Sequence, residues 1–161
     1  MSNIYFFTIF AKNIANMTIR DVEIKLQELR KELGVTYTWL EDRGLSQNSV
    51  IKILHGDNYR ISTLFKYIEN LYCVLVVDGV LVGNPEALGA VLRSKRISMG
   101  YNSIQIQSKL TWPMRQVLAI EKGRGYYKNS LLTYLEVVPA DFDLKSLADL
   151  TDEERINLLG I

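Results

Sequence analysis

The chain reads as mainly α: two tandem helical units joined by a short β-hairpin, with an N-terminal strand ahead of them. Three observations predict this. The sequence repeats internally, each copy carries short apolar runs at helical spacing closed by glycine, and the segment between the copies is β-branched around an Asp-Gly pair. Leu26, Arg30, Gly34 and Leu40 recur 66 residues later as Leu92, Arg96, Gly100 and Ile106. One inserted residue then raises the offset to 67. Leu45, Val50, Ile53 and Gly56 return as Trp112, Val117, Ile120 and Gly123. Tyr59, Leu64, Tyr67, Ile68 and Glu69 return as Tyr126, Leu131, Tyr134, Leu135 and Glu136. A register held over so many positions with a single insertion points to duplication of a unit of about 55 residues.

Residues 1–21 form an N-terminal extension. Its apolar stretch over 4–10 is too short to span a bilayer, and it lacks a basic segment before it and a small-residue cleavage site after it. It reads as a strand or extended segment packed on the body; a weak export or membrane-surface element, and a mobile extension or one ahead of a start at Met17, are the other readings. The first unit, 22–71, opens with a helix whose Ile24, Leu26, Leu29 and Leu33 share a face and which Gly34 ends. Thr36 caps a second helix carrying Trp39 and Leu40, closed by Gly44. Ser46 caps a third, with Val50, Ile53 and Leu54 inward. Gly56-Asp57-Asn58 turns the chain, and Ser62 or Thr63 starts a fourth helix with Leu64, Ile68 and Leu71 inward.

Residues 72–84 are the linker, where β-branched runs flanking Asp78-Gly79 signal a hairpin that Gly83-Asn84-Pro85 ends. The second unit, 85–143, repeats the plan: a helix over 88–97, a turn at Gly100, an Asn102 cap, a helix over 104–108 and a third helix opening at Pro113. Residues 144–161 read as an acidic helical tail, with Thr151-Asp152-Glu153-Glu154 as the capped start of its last helix.

Nineteen basic and 18 acidic side chains leave a net charge of +1. That balance conceals a gradient: residues 1–85 are neutral overall, 86–138 carry +5 and 139–161 carry −4. Positive charge is concentrated in the second copy. A single Cys excludes an internal disulfide, and with a single His it leaves no conventional His/Cys zinc site. The acidic residues show no metal-ligand spacing, and no P-loop or Rossmann glycine pattern occurs. His55, beside Gly56 at a helix end, suits a cap or a phosphate contact better than catalysis. Neither an enzyme nor a cofactor is expected.

The strings Leu92-Arg93-Ser94-Lys95-Arg96-Ile97-Ser98-Met99-Gly100, Leu110-Thr111-Trp112 and Val117-Leu118-Ala119-Ile120-Glu121-Lys122-Gly123 carry a resemblance. They are similar to the opening, the turn and the recognition-helix close of a lambda/434-repressor-like (Xre/Cro-type) helix-turn-helix domain. The first copy resembles it more distantly, through Leu26, Leu29, Arg30 and Gly34, then Leu45-Ser46-Gln47-Asn48-Ser49-Val50 through Gly56, with Leu54 where the second copy has Glu121. Together the copies cover residues 22–78 and 85–144. The resemblance implies that Arg96 pairs with Glu121 as a structural contact. It also implies that Arg30, facing Leu54, must find another partner such as an acidic neighbour, or point to solvent.

It implies further that the chain binds double-stranded DNA by sequence, laying the first turn of each third helix in a major groove. The base-contact candidates are Gln47, Asn48, Ser49 and Lys52 in the first copy and Met114, Arg115 and Gln116 in the second. Gln and Asn suit adenine and Arg suits guanine. Backbone-contact candidates are Tyr37, Thr38 and Arg60, and Ser103, Lys109, Lys122, Arg124 and Lys128. Tyr59, Tyr126 and Tyr127 either pack or touch the nucleic-acid backbone. Trp39, Trp112, Tyr67 and Tyr134 fall at packing positions, and Cys73 reads as a buried hydrophobe.

The expected function is that of a transcriptional regulator, a repressor of the phage or mobile-element kind, cytoplasmic and bound to the nucleoid. The tandem chain could supply both half-site readers as a covalent pseudo-dimer on an asymmetric operator. Homodimerisation through the tail or the N-terminal extension is a further expectation. The tail closes the second unit's core, binds another subunit, or mimics or repels DNA phosphates. The competing class is a protein-interaction module on the same fold, such as an inhibitor or adaptor, with DNA binding lost in one or both copies.

Overall fold

The computed structural model describes residues 17–159; the strand expected over 4–10 lies outside them. Within them the chain is mainly helical, with one three-stranded antiparallel sheet. The first helix, α1 (Ile19–Leu33), starts before the boundary expected at 22 because Thr18 and Asp21 cap each other. Thr18 Oγ1 accepts from the Asp21 N–H, and the Asp21 carboxylate accepts from the Thr18 N–H. The buried stripe is therefore Ile19, Val22, Glu23 and Leu26. Ile24, expected inward, falls on the opposite side and is 43% exposed, while Leu33 runs past the core and is 50% exposed.

Thr36 caps α2 (Tyr37–Asp42) and Ser46 caps α3 (Gln47–His55), each accepting from an N–H of the first turn. The fourth helix, α4 (Ile61–Asn70), begins ahead of Ser62 and has no side-chain cap. What holds its start is a main-chain bond from the other half of the molecule, Ile61 N–H to the Tyr126 carbonyl at 3.0 Å. The second group comprises α5 (Pro85–Ser98), α6 (Ser103–Leu110), α7 (Met114–Glu121) and α8 (Lys128–Val137). Pro113 caps α7 rather than entering it. A Cβ on Gly89 would run into the Glu121 carbonyl, so α5 and α7 meet backbone to backbone.

The hairpin forms from β1 (Cys73–Val77) and β2 (Val80–Val82). Asp78 at φ 47 and Gly79 at φ 78 make the two-residue turn that matches the twist of paired strands. The tail departs from expectation. Residues expected to be helical from 144 belong instead to β3 (Phe142–Ser146), paired antiparallel with β1 on the side away from β2. Phe142 and Leu144 alternate with Asp141, Asp143 and Lys145, a period of two that specifies a strand. After a 3-10 turn at Leu147–Asp149 comes α9 (Asp152–Leu159), which packs against β2. The inward part of the tail is thus a strand in a sheet shared with the hairpin. Buried side chains of both helical groups form one continuous core, running from Leu26, Leu40, Ile53 and Tyr67 to Leu92, Ile106, Ile120 and Tyr134.

Candidate nucleic-acid interface

The two third helices bury one side and leave the other open. In α3, Val50 and Ile53 face the core while Gln47, Asn48 and Lys52 are exposed. Ser49 is half-buried and serves the cap: its N–H donates to Ser46 Oγ at 3.2 Å and the two hydroxyls lie 2.9 Å apart. Glu41 accepts from the Gln47 N–H at 3.3 Å, placing a carboxylate at the positive end of α3. In α7, Val117, Ile120 and Glu121 are buried and Arg115 is exposed. Met114 and Gln116 are half-buried, with Gln107 Nε2 donating to Met114 Sδ at 3.4 Å.

Among the backbone candidates, Thr38, Arg60, Lys109, Lys122 and Arg124 are exposed and free to meet an anionic surface. Lys109 Nζ sits 4.9 Å from the Tyr101 ring, and Arg60 Cζ 5.3 Å from the Tyr127 ring. Ser103 is half-buried in the first turn of α6. Tyr37 is half-buried beneath the Arg30 guanidinium, 4.7 Å from its ring centre. Lys128 is a correction: it is only 4% exposed, and its Nζ bonds Glu23 Oε2 at 3.1 Å and the Gly56 carbonyl at 2.8 Å. It ties the two helical groups together and cannot reach a phosphate. Tyr59 joins the same knot, donating to Glu23 Oε2 at 2.6 Å.

Glu121 organises the second group. Arg96 Nε and Nη2 donate to its two oxygens at 2.8 Å each, Tyr134 donates to Oε2 at 2.8 Å, and Arg96 Nη1 donates to the Tyr101 carbonyl. These bonds join α5, α7 and α8 at one buried carboxylate. Burial, then the hydrogen bond and charge of Glu121, pushes the Tyr134 phenol above its ordinary range. In the first group Arg30 is half-buried and meets no acid among the described residues. Its Nη1 donates to the Val35 carbonyl at 3.1 Å, as Arg96 does to Tyr101, and its face covers Tyr37. With Leu54 in place of a carboxylate, Arg30 Nε and the Tyr67 hydroxyl are buried without a partner. Burial pushes the Tyr67 phenol up to about 12, although the nearby Arg30 charge works the other way.

Two residues that matter here escape a reading by motif. Glu23 lies 1% exposed on α1, and Arg20 Nη1 donates to the Leu54 carbonyl at 3.0 Å, closing the C-terminal end of α3. The repeat does hold a signal for Lys128: its counterpart at the offset of 67 is Ile61, a core residue. Cys73 is buried and its thiol is pushed up by desolvation. No helix among the described residues is long and apolar enough to cross a membrane. No protein-family model matches the chain, and neither a curated protein nor a solved structure matches it.

Proposed function

We propose that the chain is a sequence-specific regulator that binds double-stranded DNA through two non-identical repressor-like helix-turn-helix units. The observation that carries the reading is the form of α3 and α7. Each follows a short capped helix and a tight turn, buries an apolar side, and turns polar side chains of its first turn outward. Arg115 in α7 suits guanine; Gln47 and Asn48 in α3 suit adenine. Exposed Lys109, Lys122 and Arg124 flank α7 in sequence and Arg115 lies on it, so in this reading the second unit supplies most of the attraction to phosphate. Acting on chromosomal or phage DNA, such a protein works in the cytoplasm on the nucleoid.

Binding to duplexes selected from a random pool tests this. Affinity should fall steeply with salt, with a log–log slope near −0.9 for each phosphate neutralised. Arg115→Ala should cost about 1–3 kcal/mol and relax preference at one base pair, whereas Lys122→Ala should weaken all sequences alike and lower the salt slope by about 1. Weak, salt-insensitive association without sequence preference would overturn the reading and leave the protein-interaction class.

A further inference from the structure

Tandem repeats can be arranged in two ways. Stacked by translation, they set the end of one copy against the beginning of the next; related by a twofold, they set like segments against each other, antiparallel. Here Arg60 bridges Tyr127 in antiparallel sense, and these are the same position in the two copies. The flanking bonds are reciprocal: Ile61 N–H to the Tyr126 carbonyl at 3.0 Å and Lys128 N–H to the Tyr59 carbonyl at 2.8 Å. A second contact repeats the relation. The strands that follow the last helix of each copy, β1 and β3, pair antiparallel and set Val76 opposite Asp143, counterparts at the same offset of 67. Two separate antiparallel contacts between like segments mark a pseudo-twofold axis inside one chain.

From this geometry we infer that a single chain recognises one duplex carrying two unlike half-sites in inverted orientation at a fixed spacing. The inference rests on the DNA-binding reading above and adds orientation, spacing and stoichiometry to it. Duplex DNA has its own twofolds across its axis, so readers related by a twofold meet inverted half-sites, whatever the order of the copies along the chain. The loop on the axis follows α3 in one copy and α7 in the other, and both helices run towards it. From Asn48 to Arg60 the chain spans roughly 10 Å of helix and up to ~17 Å of extended loop. That accommodates the ~17 Å on each side of the axis that half-sites one helical turn apart require.

The half-sites differ because the readers differ: Gln47 and Asn48 on one side of the axis, Arg115 and Gln116 on the other. The axis itself carries an unlike pair, Arg60 over Tyr127. Spacing is fixed because the interface is rigid, built from main-chain bonds, the shared sheet and the buried Lys128–Glu23–Tyr59 knot.

The test uses the full chain and the duplex it selects best, measuring stoichiometry by native mass and affinity by titration. The expected result is one chain per duplex and two unlike inverted motifs. Reversing one motif to make a direct repeat, or inserting half a helical turn between them, should lower affinity at least about 100-fold, since one reader is then lost. Equal affinity for direct and inverted arrangements, tolerance of the insertion, or two chains per duplex would overturn the inference while leaving DNA binding intact. Failure to select any duplex, with no salt-dependent binding, overturns both.

Discussion

The two helical units share a plan, yet each places its one buried glutamate where the other has none. In the second unit Glu121 ends α7 and gathers Arg96 and Tyr134. The same position in the first unit is Leu54, and the counterparts Arg30 Nε and Tyr67 OH go unpartnered. In the first unit Glu23 on α1 receives Tyr59 and Lys128. Its counterpart is Gly89, and the Tyr126 hydroxyl is buried alone. Three of the four buried side-chain atoms without a partner among the described residues are therefore counterparts of groups bonded in the other copy. The two copies hold a common set of donors, and each places a carboxylate beside a different subset. One holds its own three helices together; the other holds the two units to each other.

That contrast can be broken from either side. The largest effect is expected from Glu121→Ala, which strands the Arg96 guanidinium in the core. Chemical denaturation should show a loss of about 3–5 kcal/mol, and an unchanged midpoint would refute the organising role of Glu121. Next come paired Tyr→Phe substitutions. Tyr59→Phe removes a hydrogen bond to a carboxylate and should cost about 1.5–3 kcal/mol. Tyr126→Phe removes a hydroxyl with no partner and should be neutral or stabilising; equal losses at the two sites would erase the distinction. The smallest effect is a gain: Leu54→Glu restores an acceptor between Arg30 and Tyr67 and should raise stability by about 1 kcal/mol. If melting temperature falls, α3 and α4 do not sit as α7 and α8 do around that position.

The repeat made much of the fold legible. Glycine stops and the caps at Thr36, Ser46 and Asn102 fall where local chemistry puts them, because a cap is settled within four residues. The helical expectation for 144–150 failed because Leu144, Leu147 and Leu150 fit a helical spacing, whereas the decisive alternation begins earlier, at Asp141 and Phe142. On the candidate interface, exposed Gln47, Asn48 and Arg115 are readable from helix periodicity, and exposed Lys122 and Arg124 from the turn that Gly123 marks after α7. Lys128 and Glu23 are not: they are satisfied in the core by pairing with each other across 105 residues of sequence, together with Tyr59 and the Gly56 carbonyl. The core counterpart Ile61 signals burial at Lys128 but not the acid that meets it there.

The shared sheet also sets an order of events during synthesis. β2 follows β1 at once, but β3 emerges about 70 residues later, on the order of 4–14 s at translation rates of roughly 5–20 residues per second. Through that interval one edge of β1, from Cys73 to Val77, has open hydrogen-bonding positions and apolar side chains beside them. Neighbouring nascent chains on one message offer the same missing strand, so β3 exchange between siblings competes with closure within each chain. Slowing translation between the hairpin and Phe142 lengthens the window, and swapped dimers are the product it favours.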